Sequence, residues 1–292
     1  MINDMRKLLL LFSVIALAAC GGSDDAENPP RDVPVPRFLT VVVSENPMQD
    51  ENASAREMTR AGGAITTSSL DAFSMVSSQS KTGEILSLTK DNEGKWKTVN
   101  WPYGAGETDK LDFYAYNAGT FNWESEPYLA FEVAEGVESQ KDLLVATHKD
   151  ISHKDKSGIV SLAFDHACAA VQFYVYKEES TDYAVSSIIL RNVKKSGYYY
   201  YNNAENAKWV LGDATTYYTL TTDVEPFAVS TTPKRLDCGW LYLIPQSKSG
   251  ITIDVTYSKA GAASTTKSLT LSGTWEAGTQ YTVNIRIGGK AS

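Results

Sequence analysis

Apolar and polar residues alternate along much of this chain with a period of two, the repeat of a strand that buries one face. Leu111-Asp112-Phe113-Tyr114-Ala115-Tyr116 is a strong strand, ended by Asn117-Ala118-Gly119. Phe38-Leu39-Thr40-Val41-Val42-Val43 is a second, and residues 70–76 a third. Val160-Ser161-Leu162-Ala163-Phe164 is followed by Ala169, Val171, Phe173 and Val175 on one face. The apolar phase flips between Phe164 and Ala169, which predicts a bulge or bend near His166, because a slip of one residue swaps faces. Shorter strands are expected at 85–88, 95–101, 128–133, 142–146, 187–193, 209–211, 217–220, 240–244, 251–257, 268–271 and 280–287. No long stretch has an apolar face at helical spacing. Short strands separated by turn residues predict an all-β chain of the sandwich type. Residues 45–63 read as a polar loop carrying Arg56 and Arg60.

The N-terminal pattern is different. Arg6 and Lys7 precede an unbroken run of apolar and small residues over 8–18. A bilayer span takes about 20 apolar residues, so this length suits the h-region of a signal peptide. The run ends Leu17-Ala18-Ala19-Cys20, which resembles the lipobox of bacterial lipoproteins. That resemblance implies a signal peptide over 1–19 and a lipid on Cys20, which would hold the chain to the outer membrane. An ordinary signal peptide with a chance Cys is the alternative. Residues 20–36 then form an acidic, Pro-rich tether containing Asp24-Asp25, Asn28-Pro29-Pro30 and Val33-Pro34-Val35-Pro36.

Of 292 residues, 27 are Lys or Arg and 35 Asp or Glu, a formal net charge of −8. An acidic surface argues against nucleic acid as a partner. The length suggests two domains of ordinary size. The polar, charged stretch 148–158 suggests a division into 37–154 and 155–292. Cys168 and Cys238 either pair or serve as two buried thiols; the sequence leaves this open.

Residue constellations for catalysis are lacking. His148, His153 and His166 are the three histidines, and no Cys accompanies them at zinc spacing. There is no nucleophile elbow and no phosphate-binding glycine loop. No metal or cofactor is expected. A pair of carboxylates far apart in the chain is the one hydrolytic arrangement a single sequence leaves open. His166, at a strand, is expected to be packed and hydrogen-bonded. Tyr198-Tyr199-Tyr200-Tyr201-Asn202-Asn203 would put two tyrosines on each face of a strand. Tyr199 and Tyr200 are the candidate contacts for a sugar or protein ligand; the alternative is a pair that merely covers a sheet edge.

Several segments together carry a resemblance. They are the Cys20 lipobox, Thr59-Arg60-Ala61 before Leu70-x-x-Phe73, and the strand 111–116. Gln140-Lys141-Asp142-Leu143-Leu144-Val145-Ala146 and Leu162-x-Phe164-x-His166-Ala167 follow. Leu241-Tyr242-Leu243-Ile244-Pro245-Gln246 and Trp275-Glu276-Ala277-Gly278-Thr279-Gln280-Tyr281 complete the set. In number and order the chain resembles the fimbrillin family of anaerobe surface lipoproteins, in its minor-fimbrillin-like (Mfa-like) branch. The resemblance implies two transthyretin-like β-sandwich domains in tandem. It implies a structural or adhesive pilus subunit, stalk, tip or accessory, whose partners are other fimbrial subunits or surface ligands of host or bacterium. It further implies processing by a protease after an Arg in the loop behind the first strand, with that strand replaced by a segment of a neighbouring subunit. Arg60 stands at that place, with Arg56 second, and the strand released would be Phe38, Leu39, Thr40, Val41, Val42 and Val43. After the last strand, near Ile287, five residues remain, too few for a separate donor strand. The chain would then accept a strand without giving one, unless its last strands swing out. A lipid-anchored carbohydrate-binding surface protein is the competing expectation.

Overall fold

Alternation becomes sheet over nearly all of the computed structural model, which describes residues 37–50, 70–79, 84–202, 208–220, 227–236 and 238–288. The first sheet has seven strands, in the order β4 (Ile85–Thr89), β3 (Ala72–Ser77), β6 (Leu111–Tyr116), β9 (Leu144–Ile151), β10 (Ile159–His166), β1 (Phe38–Glu45) and β5 (Val99–Asn100). β10 shows the expected pattern most cleanly: Val160, Leu162, Phe164 and His166 face inward and the residues between them outward. β6 is buried on both faces, with Phe113 and Ala115 turned to one core and Tyr114 and Tyr116 to another.

The first sheet folds over on itself. β9 and β10 pair at Val145↔Asp165 and Leu144↔His166. The rest of β10 pairs in parallel with β1, from Thr40↔Ile159 to Glu45↔Phe164. Phe73 of β3 and Phe164 of β10 meet at a ring distance of 5.2 Å. In a flat sheet the two intervening strands would hold them ~14 Å apart. The fold closes over a core that includes Leu39, Val41, Phe73, Met75, Phe113 and Phe164.

Three further sheets share the larger core. One runs β17 (Lys234–Arg235), β11 (Ala169–Lys177), β23 (Thr279–Ile287), β2 (Gln49–Asp50), with β18 (Leu241–Leu243) also on β11. Another runs β15 (Thr215–Thr219), β12 (Tyr183–Lys194), β20 (Thr252–Lys259), β21 (Thr265–Thr270), with β16 (Phe227–Ala228) also on β12. The third is β14 (Trp209–Leu211), β13 (Ser196–Tyr200), β8 (Pro127–Glu132), β7 (Thr120–Trp123). A short pair, β19 (Gln246–Ser247) with β22 (Thr274–Trp275), completes the set. β21 lies at a sheet edge, and all six of its residues are exposed. Its Thr-rich, Lys-bearing sequence is of the kind that discourages edge-to-edge pairing.

The all-β expectation holds, with local departures. Residues 95–101, expected as one strand, supply only β5 and a single bridge from Trp96 to Lys90. Asp91 explains this, because its carboxylate accepts the backbone N–H groups of Glu93 and Lys95 and closes a tight turn. Conversely β9 continues through the charged run as far as Ile151. Asp150 there has φ 57° and donates its N–H to Asp112 Oδ1 at 3.0 Å, an irregularity that lets polar residues face solvent at the strand end. The short helix α1 (His153–Lys156) follows, with the Ser152 hydroxyl accepting the N–H of Asp155 at 3.1 Å as its cap.

The division expected at 154/155 falls on α1, between β9 and β10, which are neighbours in one sheet. β8 and β13, one from each side of that division, are also paired. The bend expected near His166 lies at Ala167 and Cys168, where the chain leaves the first sheet and enters β11 of the second. The described residues belong to one compact unit.

Candidate functional site

β1 lies in a slot. It has β10 on one side and β5 on the other. Leu39 and Val41 point into the smaller core, 0% and 6% exposed, while Phe38 and Val42 on the opposite face are 57% and 52% exposed. The start of the strand rests on a glycine: Thr40 donates its N–H to the Gly158 carbonyl at 2.8 Å. Gly158 has φ 72°, and a Cβ on it would stand 2.3 Å from the Phe38 carbonyl oxygen. A side chain is excluded there on both counts. Arg37 Nη1 donates to the Ala105 carbonyl at 3.0 Å, which anchors the same end.

The other end of β1 is tied to the place where the sheets meet. Asn46 donates its N–H to the Phe164 carbonyl at 2.9 Å and its side-chain amide to Asp165 at 2.7 Å. Gln49 donates to the Gly278 carbonyl at 2.6 Å, and β2 adds in parallel to β23. Gly278 in turn donates to the Cys168 carbonyl at 2.9 Å. The segment 37–50 therefore crosses from the first sheet to the second.

A buried charged cluster sits at this junction. His166 Nε2 is 2.7 Å from Glu45 Oε1, and His166 Nδ1 is hydrogen-bonded to Asp142 Oδ2. The side chains of His166, Asp142 and Glu45 are 1%, 0% and 9% exposed. Both ring nitrogens face carboxylate oxygens, which accept and do not donate, so the geometry calls for an imidazolium. Burial opposes that charge, but the hydrogen bonds and charges of Asp142 and then Glu45 outweigh it and raise the His166 pKa. Burial raises the Asp142 carboxyl, against the opposing pull of His166 and of Cys168. Cys168 is a free, fully buried thiol pushed well above its usual range by burial and by Asp142, which makes it a poor nucleophile. The cluster can hold strands together through charge; its chemistry does not suit proton transfer to an outside substrate.

The tyrosine run is β13. Tyr199 and Tyr201 face inward, and Tyr201 donates its hydroxyl to the Ala115 carbonyl at 3.0 Å. Tyr199 is 4% exposed, packs edge-on against Trp209 at 5.6 Å and has its phenol pushed up by burial. The expectation that Tyr199 contacts a ligand is corrected on this point: alternation puts it in the core with Tyr201. Tyr200 stays half-buried on the outer face with Tyr198, which is 45% exposed. Tyr128 of β8 joins them, with ring distances of 5.6 Å to Tyr198 and 5.3 Å to Tyr200.

Cys20, Arg56 and Arg60 lie outside the described residues. The other two histidines have separate partners: His148 Nδ1 accepts the N–H of Ser161 at 3.1 Å, and His153 packs on Trp101. Among the described residues no group of three or more His, Cys, Asp or Glu side chains is arranged to hold a metal, and no helix is long and apolar enough to cross a membrane. Sequence reasoning missed the part played by Glu45, which reads as the first residue of a polar loop. It also missed Tyr128, whose strand lies far from the tyrosine run in sequence. Asp142 and His166 each stood within a family-like segment, a signal that they matter but not that they touch.

The architecture has solved relatives. A proposed cell adhesion protein from Bacteroides uniformis aligns over 86% of this chain and 93% of its own, with a TM-score of 0.53 and 16% identity. A second proposed cell adhesion protein, from Bacteroides ovatus, aligns over 85% and 92%, with a TM-score of 0.51 and 13% identity. A fimbrial protein from Bacteroides vulgatus aligns over 86% and 95%, with a TM-score of 0.50 and 16% identity. At such identities the likeness speaks for the fold alone. No curated protein matches. The sequence itself matches the profile of fimbrillin-like proteins over residues 58–292, from just behind β1 and β2 through the last strand. With the segments around Asp142, His166, Gln246 and Trp275 all inside that match, the chain belongs to the fimbrillin-like family.

Proposed function

We propose that this protein is a structural, adhesive subunit of a surface fimbria, with no enzymatic activity of its own. It is exported as a lipoprotein acylated at Cys20, reaches the outer surface, and assembles by strand exchange. Cleavage after Arg60, or after Arg56, frees β1, and an extended segment of another subunit takes its place. The observation that carries this reading is the position of β1, an interior strand of its sheet joined to the rest of the chain through that loop. Its departure would leave unpaired N–H and C=O groups on both flanking strands, with empty places for Leu39 and Val41 between them. A slot of that kind is satisfied by a new strand. Burying the two side chains stabilises the occupied state by about 3–6 kcal/mol, enough to make an empty slot seek an occupant.

Treating the purified full chain with an Arg-specific protease tests this. The expected product is a set of linked oligomers that persist in detergent, with the 37–60 segment released. Clean cleavage at Arg60 that leaves intact monomers would overturn assembly by exchange.

The outward-facing cluster of Tyr198 with the half-buried Tyr128 and Tyr200 favours a second reading, a surface protein that binds glycans by stacking. Glycan-array binding by the full chain should then fall at least tenfold in Tyr200→Ala, with folding retained because the side chain is outside the core. Absence of any glycan binding by the unaltered chain would remove this reading.

A further inference from the structure

The slot recognises one side chain of β1 individually. Leu39 and Val41 fill apolar places that other apolar residues of similar size would fill. Glu45 is different, because its carboxylate completes the bonding of an imidazole already held by Asp142. The backbone pairing ends at the same point, with Glu45 opposite Phe164.

We propose that His166 makes the slot selective for an acidic strand: whatever segment lies between β10 and β5 must bring a carboxylate to the place of Glu45. In this chain that segment is its own β1. The extension to the segment of a second subunit that replaces β1 rests on the strand exchange proposed above.

The surroundings isolate the effect of the imidazole. Glu45 faces it from β1 and Asp142 from the residues before β9. Cys168, between β10 and β11, and Tyr242, on β18, are both pushed up by burial and by the charge of Asp142. Asp165 is bonded to Asn46, and Lys141 is exposed. Neither Cys168 nor Tyr242 loses its proton over the range in which a histidine titrates. His166 is raised, so its contribution to holding β1 is complete below the value it keeps when Glu45 leaves and Asp142 stays, and is lost as pH rises through the raised value.

Amide hydrogen exchange of β1 in the full chain, at about pH 6 and about pH 9, reads this directly. In the unaltered chain the protection factors of β1 should fall about tenfold for each unit by which Glu45 raises the His166 pKa. Glu45→Gln should lower protection about tenfold at the acid end and flatten the pH profile. Asn46→Ala, which removes a neighbouring hydrogen bond but no charge, should lower protection equally at both ends. A flat profile in the unaltered chain, or an unchanged profile in Glu45→Gln, overturns the proposal. After Arg-specific cleavage, a peptide of residues 37–50 should bind at least tenfold more tightly than the same peptide carrying Glu45→Gln. Equal binding would overturn selectivity for the incoming strand and leave exchange standing. If neither peptide binds, strand exchange fails, and the exchange profile of β1 alone decides the role of His166.

Discussion

Replacing Asp142 by Ala should destabilise the protein by about 3–5 kcal/mol, the cost of leaving half of a buried ion pair behind. Asp142 has no exposed side-chain surface, and it holds the Nδ1 side of His166. Without it the imidazolium keeps Glu45 alone, and the N–H and thiol of Cys168 lose the carboxylate they face. For a chain of this size the loss corresponds to roughly 10 °C in Tm. It should be largest near pH 6, where His166 carries its proton, and shrink towards pH 9. Calorimetry at the two pH values measures both effects. A loss below about 1 kcal/mol would mean that the cluster is hydrated and weakly coupled.

Phe164→Ala should cost a similar amount for a different reason. Phe164 is fully buried on β10, edge-on to Phe73 at 5.2 Å. Its removal opens a cavity where the first sheet folds over, a change that typically costs about 3–5 kcal/mol. No charge is involved, so the loss should be the same at about pH 6 and about pH 9. The damage should also spread to β1, since the Phe164 carbonyl holds the N–H of Asn46. Chemical denaturation would give the magnitude, and a midpoint unchanged from that of the unaltered chain would show that the two layers do not close there.

Family membership gives these effects a setting. Residues outside the family match, 38–50, complete both the first and second sheets through β1 and β2. The residues that receive them lie inside the match. The family-like segments prove to be points of closure. The Gln140 side chain accepts the N–H of Tyr242 at 2.9 Å. Gln246 accepts from Lys194 at 2.8 Å and donates to the Ile244 carbonyl at 2.9 Å. Tyr281 accepts the N–H of Glu276 at 2.8 Å. Polar groups buried in this way are costly unless satisfied, and these bonds satisfy them.

The sequence by itself determined the strand content, because alternation with period two is a local property and each strand carries its own record of having two faces. It also carried the family, through short segments whose side chains close turns and seams. Tertiary structure alone decided which strands became neighbours and, where both faces carry large apolar or aromatic side chains, which face went to which core. Glu45 meets His166 across 121 positions, and the β9–β10 junction turns one sheet into two layers. Tyr199 is buried and Tyr200 is not because β13 lies over the Tyr114 side of β6. Such choices depend on contacts between distant segments whose free energy exists only once the chain is folded, and no local pattern encodes them.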